Sequence, residues 1–285
     1  MIASFDDALD LEAGTLDLDA LAERVEAEDL DVAVLTDEEL HWFGPDADRD
    51  PTPLDAPRLA AMTPDHRAVA LESVLLLLHA RGEVELGLDL DEDPDDPDGD
   101  GEEGAELLVP ASASSALVDL RTSAPRRLLV RVDDEDGTER VLVHLVDEGL
   151  VLVEDVLDVG LHAFTISSPL RTAAVLATML TGADVGDVLD EPEPVAVRRA
   201  ATRDGLDPHP DRLHDEADVV ASLLVADGVG AELAPFGTVT VGEAGTHLLR
   251  ASVDPAGTET HTLAALTPAQ LAAVLATVVL GVEGD

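Results

Sequence analysis

Two segments of the chain repeat one another closely enough to constrain its fold. Residues 168–182 read SPLRTAAVLATMLTG and residues 267–281 read TPAQLAAVLATVVLG, with eight of the 15 positions identical and no gap. Each segment has a Ser or Thr able to cap a helix, a Pro at the first helical position and a Gly able to end the helix. Both follow strand-like runs, and this shared order indicates a duplicated strand-hairpin-helix unit.

The duplication predicts an α+β fold with a pseudo-two-fold body. A single unit would leave one apolar face of its sheet and one of its helix uncovered, whereas two units can cover each other. We expect an antiparallel sheet with flanking helices. The expected divisions are a helical N-terminal part packed on this body (1–87), an acidic disordered loop (88–104), the first repeat (105–182), a linker (183–206) and the second repeat (207–285).

Local patterns predict the individual elements. Thr36 and Glu39 have capping-box spacing, and Thr63-Pro64 opens a longer helix that reaches Gly82. Alternating apolar residues predict strands at 29–35, 128–132, 141–146, 150–153, 161–166, 238–241, 248–253 and 260–263, and the Asp136-Gly137 pair predicts a hairpin turn. Helices are expected at 112–120 and, after a turn, at 219–224.

Two missing residue types exclude much chemistry. The chain has no Cys, which excludes thiol nucleophiles, disulfides, thiolate zinc sites and iron–sulfur clusters. All 16 basic residues are Arg, so Schiff-base chemistry and the phosphate-binding lysines of P-loops and protein kinases are excluded as well. No nucleophile elbow or dinucleotide-binding glycine motif occurs, and the sequence singles out no catalytic or cofactor-binding residue. We therefore expect a protein that is not an enzyme.

The charge of the chain restricts its partners. The formal net charge is −46, from 62 acidic and 16 basic residues. Such a field repels nucleic acid and anionic membrane surfaces, so neither is an expected partner. The first ten residues, MIASFDDALD, carry acids where a signal peptide needs basic residues, and no apolar run is long enough to span a bilayer. We expect a cytoplasmic protein.

Two acidic or His-containing segments invite a metal hypothesis. Asp96, Asp98, Asp100 and Gly101 match the opening of an EF-hand loop, but Leu107 stands where the bidentate Glu belongs. The sequence therefore favours a solvated acidic loop and no specific metal site.

The second segment lies at 207–216 (DPHPDRLHDE). His209 and His214 lie among Asp207, Asp211, Asp215 and Glu216, and this cluster is the basis of an alternative function as an enzyme or a small-ligand or metal-binding protein. A polar turn that opens a helix explains the same residues. A further alternative is that His144 and His261, both in predicted strands, face one another across the sheet.

Three parts of the chain carry a resemblance to a known family: LLLLHARGEV (Leu75–Val84), the strand-rich middle, and, from Phe236 onward, FGTVTVGEAGTHLLRASV with TLAALTPAQLAAVLATVVLG. In these parts the chain resembles the EspG family of chaperones associated with actinobacterial type VII secretion. It implies a quasi-two-fold α+β fold and a non-enzymatic cytosolic protein that shields the apolar tip of a helical, secreted partner. No binding residue carries over by motif, so we expect an exposed aliphatic surface on the sheet or its flanking helices to be the site.

Overall fold

The structure, a computed structural model, describes residues 9–10, 15–44, 56–87, 106–108, 112–133, 138–185, 196–253 and 257–281. The acidic segment 88–104, with its EF-hand-like residues, and the Asp136-Gly137 turn lie outside the described residues. The fold is α+β, with one ten-stranded antiparallel sheet and about eight helices.

The described residues form eight α-helices and fourteen strands. The helices are α1 (Leu18–Val25), α2 (Asp37–Phe43), α3 (Pro57–Ala61), α4 (Pro64–Arg81), α5 (Ala113–Ser123), α6 (Pro169–Thr181), α7 (Pro210–Asp215) and α8 (Pro268–Leu280). The strands of the large sheet are β3 (Leu30–Thr36), β6 (Arg126–Asp133), β7 (Thr138–Asp147), β8 (Leu150–Leu157), β9 (Leu161–Ser167), β10 (Ala196–Ala200), β11 (Ala217–Asp227), β12 (Ala234–Gly242), β13 (Gly245–Val253) and β14 (Glu259–Leu266). Two small ladders pair β1 (Leu9–Asp10) with β2 (Thr15–Leu16), and β4 (Glu85–Gly87) with β5 (Glu106–Leu108).

Helix caps explain where several of these helices begin and end. Thr36 and Thr267 each form a complete capping box, and the Ser168 hydroxyl accepts the backbone N–H of Arg171 at the start of α6. Gly182 and Gly281 follow α6 and α8 with φ of 65° and 71°, a left-handed conformation that glycine adopts without a steric penalty.

The large sheet has the strand order β10-β14-β13-β12-β11-β6-β7-β8-β9-β3. Strands β6 to β9 form one antiparallel meander and β11 to β14 form another, and the two meanders join where β6 pairs antiparallel with β11. The helix predicted at 219–224 is wrong, because these residues belong to β11. Since β11 lies at the centre of the sheet and carries apolar residues on both faces, its run VVASLLV has no period that separates a strand from a buried helix.

Helices α6 and α8 pack together on one face of the sheet. Their inward residues, including Ala173, Leu176, Leu271 and Leu275, form the largest core with one set of alternate strand residues such as Val130 and Leu223. This core is almost wholly aliphatic, which agrees with an aromatic content of 2% in the full chain.

The opposite face of the sheet is covered differently in its two halves. Helices α1, α2, α4 and α5, which we call the N-terminal layer, cover Leu150, Leu152, Phe164 and Ile166 of β8 and β9. Over the β11–β14 half, the short α7 packs its Leu213 on Leu263. The two halves of this face therefore provide different environments for polar groups.

Candidate functional site

The Asp/His segment at 207–216 forms a surface turn and the helix α7. The His209 ring Nδ1 accepts the backbone N–H of Asp211 at 3.3 Å, so this imidazole caps the helix, and its Nε2 lies 3.5 Å from an oxygen of Asp204. His214 is exposed on α7. Across the described part of the chain, no group of three or more His, Asp or Glu side chains is placed to hold a metal ion.

A cavity of about 510 Å³ lies between α7 and the sheet. Both apolar and polar side chains form its wall, and His214 of the predicted cluster reaches it together with Leu213, whereas His209 does not line it. Arg203, which precedes α7 in the chain, also lines the cavity. The residues that line it from the sheet are Asp133, Val220, Ser222, Thr238, Thr240, Leu249 and Leu263.

The suggested pairing of His144 with His261 is wrong. His144 lies on β7 and His261 on β14, and four strands separate β7 from β14 in the sheet. Since neighbouring strands are about 4.8 Å apart, the two imidazoles cannot approach one another. The partner of His144 lies instead on the adjacent strand.

A largely buried network of ionisable side chains lies between the N-terminal layer and the sheet. His162 bridges two carboxylates, with Nδ1 2.7 Å from Glu154 Oε1 and Nε2 2.8 Å from Asp37 Oδ1. The other oxygen of Glu154, Oε2, lies 2.7 Å from His144 Nε2 and accepts from Arg121 Nε at 2.8 Å. Asp37, Glu154, His144 and His162 are each 1% exposed or less.

Sheet geometry and two helix ends bring these groups together. His144, Glu154 and His162 lie on three adjacent strands, β7, β8 and β9, and their registers put them on the same face. Asp37 is the first residue of α2, and Arg121 lies in the last turn of α5. The network therefore links three strands to two helices of the N-terminal layer.

Asp37 is fixed by groups around it. Its Oδ2 accepts the backbone N–H of Leu59 at 2.9 Å, and its own backbone N–H donates to the carbonyl of Gly160 at 3.1 Å. Gly160 has φ of 77°, and a Cβ there would lie 2.5 Å from Arg58 Cβ. Only glycine allows this close approach.

The two acids that follow Asp37 are also buried and paired. Glu38 lies 3.3 Å from Arg58, and Glu39 lies 3.2 Å from Arg81. Burial of a carboxylate is costly unless it is paired or hydrogen-bonded. Each acid of this run at the start of α2 has a separate cation from a different element.

Ion pairs and hydrogen bonds within the network offset the effect of burial on the pKa values of Glu154 and His162. Burial opposes the ionisation of Glu154, but the positive charge of Arg121 and hydrogen bonds from both imidazoles hold the pKa of Glu154 well below its usual range. Burial also opposes the charged form of His162, but its hydrogen bonds to Asp37 and Glu154 outweigh this and raise its pKa. For His144, burial dominates over the bond to Glu154 and lowers the pKa, which keeps this imidazole neutral.

A further candidate site, separate from the buried network, is an apolar surface on α4. Val69, Leu76 and Leu77 are 63%, 57% and 50% exposed, and their spacing of seven and eight residues places them on one side of the helix. The opposite side of α4 carries Leu78, which is buried, and the partly buried Val74 and Leu75. We call Val69, Leu76 and Leu77 the α4 stripe.

No family model and no curated protein matches the chain. Among the described residues, no helix is both long enough and apolar enough to cross a membrane.

Sequence reasoning missed the buried network. The available signal was weak: Glu154 and Asp155 interrupt an otherwise apolar strand, and an Asp-Glu-Glu run follows the Thr36 cap. Acids in the first turn of a helix are ordinarily explained by the helix dipole, and acids in a strand are ordinarily exposed. Only the pairing of β7, β8 and β9 shows that these residues meet.

Proposed function

We propose that this protein is a non-enzymatic adaptor or chaperone that binds and shields an apolar helical segment of a partner protein. The observation that carries the proposal is α4, which is apolar on two opposite sides while only one side is covered by the protein's own described residues. Large apolar side chains exposed together on one side of an element mark surfaces that another molecule covers. The α4 stripe is therefore the surface that a partner helix would cover.

Charge complementarity defines the chemistry of the partner. Asp65 and Glu72 lie beside the α4 stripe on the same helix, and the whole chain carries a net charge of −46. An acidic partner would be repelled over several ångströms, whereas a basic one would be attracted. The occupant we propose is an amphipathic helix whose apolar face is flanked by Arg or Lys.

The finer architecture that we propose is a pseudo-two-fold repeat. In its support, each meander is followed by a capped helix with a Pro at its first position, α6 after β9 and α8 after β14. Strands β6 and β11 pair antiparallel, and a two-fold axis passing between them would superpose one meander on the other. Edge strands β3 and β10 flank the two ends of the sheet in corresponding places.

The resemblance to EspG-type secretion chaperones is compatible with this proposal. Such a protein would act in the cytoplasm and keep the apolar tip of a secreted helical protein soluble. The proposed role for this chain rests on the α4 stripe and on charge, which can be tested without a named partner.

The first test uses a designed amphipathic peptide of about 20 residues, with a Leu stripe at helical spacing and Arg flanks, labelled for fluorescence anisotropy. We expect it to bind, and we expect Leu76→Ser combined with Leu77→Ser to weaken binding at least about tenfold. Burying a Leu side chain contributes roughly 1.5–3 kcal/mol, and about 1.4 kcal/mol corresponds to a factor of ten.

The matched control variant combines Leu170→Ser and Val175→Ser on α6, which are exposed to 54% and 56%. It removes similar exposed apolar area elsewhere and should bind the peptide as the wild type does. Equal weakening by both variants, or equal binding of a peptide with its Leu residues changed to Ser, would refute the proposal. If the wild type forms concentration-dependent dimers and only the α4 variant is monomeric, the stripe instead binds a second copy of this chain.

A second candidate function is binding of a small organic molecule in the cavity beneath α7. The combination of hydroxyl groups from Ser222, Thr238 and Thr240 with apolar Leu249 and Leu263 favours a ligand with one polar and one apolar end. Native mass spectrometry of the purified protein tests it. A bound small molecule that is lost on Thr240→Leu substitution would support this function.

A further inference from the structure

The buried network connects parts of the molecule that share little backbone hydrogen bonding. Asp37 belongs to α2 and Arg121 to α5, whereas His144, Glu154 and His162 belong to the sheet. With His162 protonated, the two carboxylates of the network face two positive groups, Arg121 and His162. Their charges then cancel, which is the condition under which such a group of side chains tolerates burial.

The geometry around His162 favours a proton on each ring nitrogen. Both nitrogens lie within 2.8 Å of a carboxyl oxygen of Glu154 or Asp37. A neutral imidazole has only one N–H, so beside two ionised carboxylates one contact would place a nitrogen lone pair against a carboxylate lone pair. The imidazolium donates to both carboxylates at once.

We propose that this network is a pH-sensitive latch, in which protonated His162 fastens α2 to the sheet through Asp37, while Arg121 fastens α5 through the Glu154 that His162 also contacts. When one of the two N–H protons of His162 leaves, one buried carboxylate loses its donor and the network acquires a net negative charge. The N-terminal layer then separates from β8 and β9 more readily than the sheet itself opens.

Other charged groups near His162 are already engaged and do not replace its proton. Arg121 is bonded to Glu154 from α5, and the neighbouring Glu38 is paired with Arg58. His144 faces the same carboxylate from β7, and burial keeps its pKa low, so it does not supply a compensating charge as pH rises.

The latch also controls the position of α4. Trp42 of α2 donates its indole N–H to the Leu71 carbonyl at 2.9 Å, and Glu39 of α2 pairs with Arg81. Movement of α2 is therefore transmitted to α4. Separation of the layer would also uncover Phe164 and Ile166, which are buried under it.

The direction of the pH effect follows from the raised pKa of His162. The folded state holds this proton more tightly than the unfolded chain, whose His pKa is about 6.5. The contribution of His162 is complete below about pH 6.5 and is lost as pH rises through the higher pKa of the folded state. Within that window, linkage of one proton changes the opening equilibrium by about tenfold per pH unit.

Hydrogen exchange measured by mass spectrometry between pH 6 and 9, corrected for intrinsic exchange rates, tests the latch. We expect protection of amides in α2 and α5 to fall by up to about tenfold per pH unit within the window and to lie below that of β6 and β11, which exchange only when the sheet itself opens. Equal protection in all these elements, or no loss with pH in α2 and α5, would overturn the proposal.

The variant His162→Gln should lower the protection of α2 and α5 at pH 6 and remove its pH dependence. The control variant is His66→Gln, because His66 is an exposed histidine on α4, and it should leave the profile unchanged. An unchanged pH profile in His162→Gln would contradict the latch.

A measurement on the wild type keeps the proposal testable if His162→Gln does not fold. Nitrogen NMR shifts of the His162 ring should show both nitrogens protonated at pH 6. The midpoint of deprotonation should coincide with the loss of protection in α2 and α5. A neutral His162 at pH 6, or a midpoint unrelated to exchange, would refute the latch independently of any peptide-binding result.

Discussion

Replacing Arg121 by Met should destabilise the protein by about 3–5 kcal/mol, the cost typical of breaking a buried ion pair by removal of one partner. Arg121 Nε lies 2.8 Å from Glu154 Oε2, and the two side chains are 17% and 0% exposed. At an effective dielectric constant of about 20, unit charges at this distance attract by roughly 6 kcal/mol, from which desolvation of both groups subtracts. Met fills similar volume, so the effect reports on charge more than on packing.

Urea unfolding followed by two probes measures this effect. The fluorescence of Trp42, the one Trp in the chain, reports on the N-terminal layer, and circular dichroism reports on the whole fold. We expect the midpoint of Arg121→Met to shift to lower urea in both probes, with the Trp42 transition shifting further.

A double-mutant cycle separates the ion pair from other effects. Because Glu154→Gln already removes the charge that Arg121 neutralises, Arg121→Met should cost much less in that background. The exposed pair of Arg212 and Glu216 supplies the control, and Arg212→Met should leave the urea midpoint almost unchanged, because solvent screens exposed ion pairs. Equal costs for Arg121→Met in both backgrounds would refute the electrostatic explanation.

Three other perturbations give direct checks. Leu275→Ala removes a side chain with no exposure from the core between α6, α8 and the sheet, and should cost about 2–5 kcal/mol by urea unfolding. Gly160→Ala should cost more than Gly182→Ala by calorimetry, because both have positive φ but only Gly160 lacks room for a Cβ. His144→Gln should reduce the loss of stability between about pH 6.5 and 5, because the lowered pKa of His144 means that the unfolded chain binds its proton first as pH falls. A wild-type stability that does not change in this range would contradict the His144 prediction.

The sequence by itself determined most of the local structure. The predicted caps at Thr36, Thr63, Ser168 and Thr267 all open helices, because hydroxyl caps and Pro at the first turn act over three or four residues of chain. The alternating runs became strands for an equally local reason, since alternate side chains of a strand face opposite sides.

Sequence patterns did not predict the correct element where a strand is buried on both faces and therefore lacks the alternation of apolar and polar residues. The segment 219–224 was predicted to be helical, yet it is the centre of β11, because a strand buried on both faces has no alternation. The short helix α3 and the edge strand β10 were not predicted within segments that read as connections. Their formation depends on the neighbours against which they pack.

The candidate sites divide in the same way. Sequence predicted an aliphatic surface but not its place, and the α4 stripe was identified only once one side of α4 was seen to be covered. The Asp/His segment at 207–216 could be found from sequence because its residues are neighbours in the chain. The buried network could not, since Asp37 and His162 lie 125 positions apart and meet only through strand pairing and helix packing. Periodicity can be read from neighbouring residues of the chain. A charge network depends on which strands are adjacent in the sheet, and this adjacency is set by tertiary folding.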